Sequence, residues 1–383
     1  MNDCPFIRTF VRMKRLFLHK LSLLNFKNYA HADLDFSQRF NCITGDNGEG
    51  KTNLLDSIHY LSFTKSYFNP IDSQNISHDA PLFVIQGEFN IDGKEENVFC
   101  AQKKGERKQV KLNKNEIIRF ADHVGSFPVV IASPTDIGLI LDGSEMRRKF
   151  SDSIISQYNR QYLDDIINYS KVLLQRNAQL KQFSSKSYFD ADSLKIWDVR
   201  LIDLGKKIFI ERKKFSAEFE PIFQKQYELI SGGKEKVDFG YKSQLSEGDF
   251  EALLNEAIDK DRIMEYTTVG VHKDDWEFRM EKYPVKKFAS QGQQKSYLLA
   301  IKLAQFEFVK QHKQLIPILM LDDIHDKLDE QRVKRLIDIV STNDFGQVFI
   351  TDTSKEEIQK LFKGINADVK IFNVNKGDVS PLS

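Results

Sequence analysis

Residues 40–61 read FNCITGDNGEGKTNLLDSIHYL, and this stretch decides the fold. Phe40 to Thr44 is a short apolar run that stops at a glycine, while Leu54, Leu55, Ile58 and Leu61 recur at helical spacing. The pattern is strand, glycine-rich turn, helix. Between strand and helix, Gly45-Asp46-Asn47-Gly48-Glu49-Gly50-Lys51-Thr52 satisfies G-x-x-x-x-G-K-[ST] at every fixed position. The glycines let successive backbone N–H groups turn inward around a phosphate, and the helix that follows aims its positive end at the same anion. Lys51 is then placed for the β- and γ-phosphates of ATP, and Thr52 supplies a hydroxyl for Mg²⁺.

A nucleotide site of this kind needs a carboxylate at the end of a buried strand. Leu319-Met320-Leu321-Asp322-Asp323 provides it. Asp322 suits the metal, and Asp323 suits the orientation or deprotonation of an attacking water. Adjacent aspartates after a strand often only cap a turn. Paired with the phosphate loop, the site is the better reading.

A second anion-binding element lies far along the chain. Ser290-Gln291-Gly292-Gln293-Gln294-Lys295 opens a strong helix running from Gln293 through Phe308. By itself the hexapeptide is an ordinary serine N-cap. One nucleotide does not need two such loops from one chain, so the economical expectation is a composite site. In a symmetric dimer this loop would complete the site of the second copy.

Working outward, Leu82 to Lys114 turns to short β runs, with Asn90-Ile91-Asp92-Gly93 as a hairpin turn. A small antiparallel sheet beside the first unit is expected. From Glu145 one long helical stripe carries Phe150, Ile154, Tyr158, Tyr162, Ile166, Tyr169 and Leu173. The polar stretch from Ser184 to Ser193 separates it from a second run through Trp197, Leu201, Leu204, Ile208 and Phe215, which ends at Gly232-Gly233. Two long amphipathic helices predict an inserted helical arm. Apolar strands return at Pro317–Leu321 and Gln347–Thr351 and suit a parallel sheet covered on both faces. The expected organisation is an extension at 1–12, the N-terminal half of an ATPase head at 13–135, the arm at 136–265, and the rest of the head at 266–383.

Composition narrows the class. At 383 residues the chain exceeds one ordinary core. With 41% hydrophobic and 29% charged residues it is neither disordered nor fibrous. Three cysteines without metal or disulfide spacing favour a reducing, cytoplasmic setting. No run approaches the ~18 apolar residues of a membrane span. A net charge of +1 leaves any DNA contact to local patches.

The phosphate loop, the S-Q-G-Q-Q signature and the L-D-D-x-x-x-x-L-D run at 321–329 together resemble the ABC-type ATPase heads of the structural-maintenance-of-chromosomes class. Within that class the chain is more similar to the RecF family. Leu23–Tyr29, Gly143–Phe150, Leu174–Asn177 with Trp197-Asp198, and Tyr266–Asp275 carry the likeness, in order, from about Arg15 onward. The resemblance implies an α/β fold: an ABC-type P-loop head with an antiparallel β subdomain and an inserted arm lobe. It implies an ATP-dependent DNA-binding protein of recombinational repair and replication-fork maintenance, dimerising on ATP, hydrolysing it slowly, and helping load a recombinase at gapped DNA with RecO- and RecR-type mediators.

Carried over by residue, Gly45 to Thr52 bind the phosphates and Asp322 with Thr52 holds Mg²⁺. Asp323 and Lys51 serve catalysis. Ser290, Gln291, Gly292 and Gln293 act in trans, Asp329 is the dimer-facing acid, and Lys27 and Asn28 are nucleotide-edge contacts. The departures are Asp323 in place of glutamate, Val271 in place of the proline after Gly270, Thr351-Asp352-Thr353 in place of a switch histidine, and no glutamine from Val130 to Asp136. Residues 1–12 precede the family's usual start, with Met13 as an alternative initiator.

Duplex or gapped DNA, bound without sequence specificity, needs cations set against phosphates. The clusters are Lys103, Lys104, Arg107, Lys108 and Lys111; Arg147, Arg148 and Lys149; and Lys206, Lys207, Arg212, Lys213 and Lys214. The rival function is an ABC-type subunit energising a transporter or other partner complex. A third is a DNA clamp that hardly turns ATP over.

Overall fold

The computed structural model describes residues 12–186, 188–233, 235–324, 330–363 and 367–382. Most of the 1–12 extension, and Asp329, lie outside the described residues.

The phosphate-loop strand Phe40–Thr44 stands inside a six-stranded sheet. Across that sheet the order is Asp378–Leu382, Val369–Asn375, Phe40–Thr44, Val348–Asp352, Ile318–Leu321 and Val129–Ala132. The last five are mutually parallel, and Asp378–Leu382 returns antiparallel at one edge. Register places Thr44 opposite both Asp352 and Asn373, and Leu321 opposite Ile350 and Ala132. The carboxyl ends of these strands therefore finish level, which is where open parallel sheets place their ligands.

Alternation along the strands divides the core in two. Ile318 and Met320 pack with Leu54, Leu55 and Ile58 of the helix Lys51–Phe63. Leu319 and Leu321 pack on the other face with Leu299, Ala300 and Leu303 of the helix Gln291–Lys313. Behind Lys51–Phe63 lies a seven-stranded sheet built on Lys14–Phe26 and the hairpin of Leu82–Ile91 with Lys94–Lys103. The expected turn is present, with Asp92 at φ 50° and Gly93 at φ 89°, the pair of positive values a tight hairpin requires.

The arm differs from expectation in one respect. The first helical stripe is two helices, Ser144–Tyr158 and Arg160–Lys186. Asn159 leaves the helical region at φ −119°, ψ 96°, and its side-chain oxygen accepts the Tyr162 N–H at 3.0 Å. One residue thus ends the first helix and caps the second, and periodicity alone runs through such a break. The second run is a single helix, Ala191–Ser231, stopped by Gly232 in the left-handed region.

Two buried arginines tie the arm to the segment before the signature. Arg176 bonds Asp198, Asp261 and Thr267, and Arg212 bonds Asp152, Asp274 and the Val271 carbonyl. The strand Val237–Lys242 pairs with Asp275–Met280, so one small sheet spans the 265/266 division drawn from sequence. Among the described residues no helix is long and apolar enough to cross a membrane.

Candidate nucleotide site

The helix Lys51–Phe63 begins without a side-chain cap, because Gly50 at φ 120° carries the chain into it. A Cβ at Gly50 would stand 2.4 Å from the Asn28 side chain, so only glycine fits there. Tyr29 donates its hydroxyl to the Gly50 carbonyl at 2.9 Å. Asn28 donates its amide to the Glu49 carbonyl at 2.7 Å and accepts from Asn53 at 2.8 Å. The turn at Asn28 and Tyr29 is therefore a wall of the phosphate loop. Lys27 behaves differently: its ammonium pairs with the buried Asp56 carboxylate at 2.6 Å, and Asp56 also accepts from Ser66 and the Tyr67 N–H. A buried carboxylate needs such a partner, so this cation is committed within the fold and not presented to a nucleotide.

Lys51 is 4% exposed and donates to the Gly45 and Asp46 carbonyls at 2.8 and 3.0 Å, which holds its charge in the mouth of the loop. At the level strand ends, Thr52 donates to Asp322 at 3.0 Å. Two further hydroxyls, absent from the sequence reading, meet the same carboxylate. Thr351 lies 2.8 Å from Asp322 Oδ1, and Ser133 3.3 Å from Oδ2. Thr351 also accepts the backbone N–H of Asp323 at 2.8 Å. Asp323 takes the left-handed backbone at φ 47°, unusual for a residue with a Cβ and of a kind found where function requires it. In place of a switch histidine, the chain holds a threonine whose hydroxyl meets the Asp322 carboxylate and the Asp323 backbone N–H. Thr52 and Asp322 are hard oxygen donors set side by side, which suits Mg²⁺ held largely by phosphate oxygens and water.

Ser133 belongs to a second linkage. Its N–H donates to Asp136 at 2.6 Å, Asp136 pairs with Lys302 at 3.1 Å, and Lys302 reaches the Tyr67 hydroxyl at 3.0 Å. Tyr67 in turn donates to Asp136. Burial first, and then Asp136, push the Tyr67 hydroxyl pKa well above its usual value, so it remains a donor. Asp136 thereby joins the helix after the signature to the loop beside Asp322. A cavity of about 220 Å³ lies here, lined by Ser133, Asp136, Lys295, Lys302 and Asp322 among others.

The signature turn is exposed at Ser290 and Gln291. Ser290 and Gln293 form a reciprocal cap at 3.3 and 2.8 Å, and Gln293 also donates to Glu235 at 3.0 Å. Gln293 is thus occupied in building the turn. Gly292 lies against Arg332, whose guanidinium would be 3.1 Å from a Cβ there.

The basic clusters are thinned by the fold. Lys108 is buried against Asp72 and the Thr64 carbonyl, and Arg212 is buried against Asp152 and Asp274, so neither can reach a DNA phosphate. Arg147 is held by Asp275, and Arg148 by Ser144 and the Asp274 carbonyl. Lys103, Lys149, Lys206 and Lys207 are exposed but pair with Glu106, Glu145, Asp249 and Asp203. Arg107 donates to the Ile118 carbonyl. Lys104, Lys213 and Lys214 are exposed.

Comparison with known proteins accords with this geometry. The RecF/RecN/SMC N-terminal domain profile matches residues 17–379. The DNA replication and repair protein RecF of Flavobacterium johnsoniae is 48% identical over 357 residues, covering 93% of this chain and 99% of that protein. The protein of the same name from Phocaeicola vulgatus is 46% identical over 367 residues, covering 95% and 98%. Among solved structures, the recombination mediator protein RecF with ATP in the RecFOR pathway superposes with a TM-score of 0.87 at 29% identity, covering 96% of this chain and 98% of that one. An SMC head bound to the C-winged helix domain of ScpA shares the fold, with a TM-score of 0.57 at 18% identity and coverage of 96% and 97%.

Proposed function

The chain belongs to the RecF family of DNA replication and repair proteins, and on that premise we propose that it is an ATP-dependent, DNA-binding dimer that hydrolyses ATP slowly. The observation that carries this reading is the cluster at the level strand ends. Lys51, Thr52, Asp322 and Asp323 come from segments some 270 residues apart and converge at the mouth of one phosphate loop. In RecF-type structures that binding step is documented with ATP.

The loop's N–H groups and Lys51 receive the phosphates, and Thr52 and Asp322 would hold Mg²⁺, which neutralises phosphate charge when bound. Asp322 keeps its orientation through three hydroxyls. Asp323, with a shorter reach than the glutamate usual in such sites, orients or deprotonates water inefficiently, which supports slow turnover. The exposed Ser290–Gly292 turn is the element that meets a partner's nucleotide. DNA contact rests on exposed cations, of which Lys104, Lys213 and Lys214 are the best placed, and on mediators of the RecO and RecR type for recombinase loading. The transporter-subunit reading is set aside, since the relatives are replication and repair proteins.

Sedimentation velocity with ATP and Mg²⁺, against nucleotide-free protein, with and without gapped duplex, tests the proposal. A dimer that appears only with ATP and carries DNA with it is expected. A species unchanged by ATP would refute it, and an ATPase assay in the same buffers separates slow turnover from none.

A further inference from the structure

The strand Val369–Asn375 and its return Asp378–Leu382 close a hairpin over Lys376 and Gly377, with φ values of 48° and 84°. The tip of such a hairpin is ordinarily solvated. Here Gly377 is buried, and the tip lies on the phosphate loop. Its N–H donates to the Glu49 carbonyl at 3.1 Å. The Lys376 N–H donates to the Glu49 carboxylate. A Cβ at Gly377 would stand 2.3 Å from the Asn28 carbonyl. The Glu49 carbonyl therefore receives two donors, Asn28 from one turn and Gly377 from another, while its carboxylate receives a third.

Glu49 is one of the variable positions of the phosphate-loop motif, so the motif requires only its backbone, not its side chain, to hold phosphate. Its peptide, however, must keep one orientation if the neighbouring N–H groups are to converge on an anion. Loops of glycine and small residues have many other conformations available. Resting on the nucleotide reading above, we infer that the Lys376-Gly377 turn is a positioning element of the nucleotide site. It braces the phosphate loop from outside through Glu49 and holds it ready for the triphosphate. A preordered loop binds more tightly because its ordering is not charged against the ligand.

A second hairpin in the same chain is the control. Gly93 has φ 89°, close to that of Gly377, and a Cβ there meets nothing within 4 Å. Gly93→Ala and Gly377→Ala therefore share the backbone strain of a left-handed alanine, and only the second displaces the turn from Asn28 and Glu49.

The test is titration of the full chain with a fluorescent methylanthraniloyl ATP in Mg²⁺ buffer, alongside steady-state ATP turnover and a thermal melt of each variant. Gly377→Ala is expected to weaken nucleotide binding about tenfold and raise KM in step, with kcat within about twofold, as loss of one charge-assisted hydrogen bond and its ordering implies. Gly93→Ala should bind as wild type. Should Gly377→Ala not fold, Glu49→Ala carries the test by removing the carboxylate that Lys376 meets. It should weaken binding several-fold, and Glu49→Gln, which keeps an acceptor oxygen, should restore it. Wild-type affinity in both Gly377→Ala and Glu49→Ala would overturn the inference while leaving the nucleotide reading intact. A wild-type chain that binds no nucleotide would bring down both.

Discussion

Thr351→Val is the sharpest probe of the acid pair. Valine keeps the shape of threonine and loses the hydroxyl. Thr351 is fully buried and Asp322 is 2% exposed, so water cannot readily take the hydroxyl's place. Two bonds go at once: the donation to Asp322 at 2.8 Å, and the acceptance from Asp323 N–H at 2.8 Å. The first is charge-assisted, though Asp322 retains Thr52 and Ser133. The second leaves the backbone N–H of the left-handed Asp323 without its acceptor. With a charged bond worth about 1.5–3 kcal/mol and an orphaned buried donor costing about 1–3, a net loss of roughly 2–4 kcal/mol follows after partial compensation at Asp322. Urea unfolding reads this directly. In turnover, Asp323 no longer has its backbone fixed, so kcat should fall about tenfold or more while nucleotide affinity changes by less than about twofold. Thr351→Ser should recover both measures. A Thr351→Val protein within about 0.5 kcal/mol of wild type, with normal kcat, would refute the clamp.

Ser290→Arg should leave ATP binding to the monomer near normal and abolish the ATP-dependent dimer in sedimentation, because the exposed turn would present a bulky cation to the partner's nucleotide. Asp322→Asn should raise the Mg²⁺ concentration needed for nucleotide binding, whereas Asp323→Asn should leave binding intact and stall hydrolysis; identical defects at saturating Mg²⁺ would count against separate roles. Arg176→Met leaves Asp261, itself wholly buried, without its cation and should cost about 3–5 kcal/mol in urea unfolding. His272 is neutral in the fold, its pKa lowered to about 4 chiefly by burial, with Tyr169 and the Thr267 carbonyl as partners. The unfolded chain takes up that proton first as pH falls through about 6.5, so stability should drop by about 2 kcal/mol between pH 7 and 5 and level off below pH 4. His272→Gln should remove that part of the slope, and an unchanged slope would reassign it to other histidines.

The parts of the site that lie within one continuous motif were legible from sequence. Gly45 to Thr52 and Leu319 to Asp323 carry their chemistry in their own spacing, because each is a strand end followed by a turn. The Ser290 cap and the Asp92-Gly93 hairpin were equally local. What escaped was assembled across the chain. Ser133 and Thr351 meet Asp322 only because three parallel strands end level, and no periodicity in the sequence encodes strand order. Lys27, Lys108 and Arg212 looked like available cations, yet Lys27 and Arg212 neutralise the buried carboxylates of Asp56 and Asp274, and Lys108 is itself buried where it pairs with Asp72. Charge counts along a sequence cannot tell a solvated face from a desolvated pair. The arm's break at Asn159 escaped for the opposite reason: the stripe of apolar residues continues through it, and one capping side chain decides the geometry.

The position of Phe40–Thr44 in its sheet has a consequence for biosynthesis. Its two neighbours, Val348–Asp352 and Val369–Asn375, are encoded roughly three hundred residues later. As the nascent chain leaves the ribosome, the phosphate-loop strand has both edges unpaired until almost everything else has been made. The seven-stranded sheet, whose main hairpins lie before residue 117, can pair early and shelter one side of the helix Lys51–Phe63. Long-range parallel pairing is then the slow, late step. A translation product interrupted before Val369 would lack one of those neighbouring strands and the turn against Glu49, so its phosphate loop would be left without that brace.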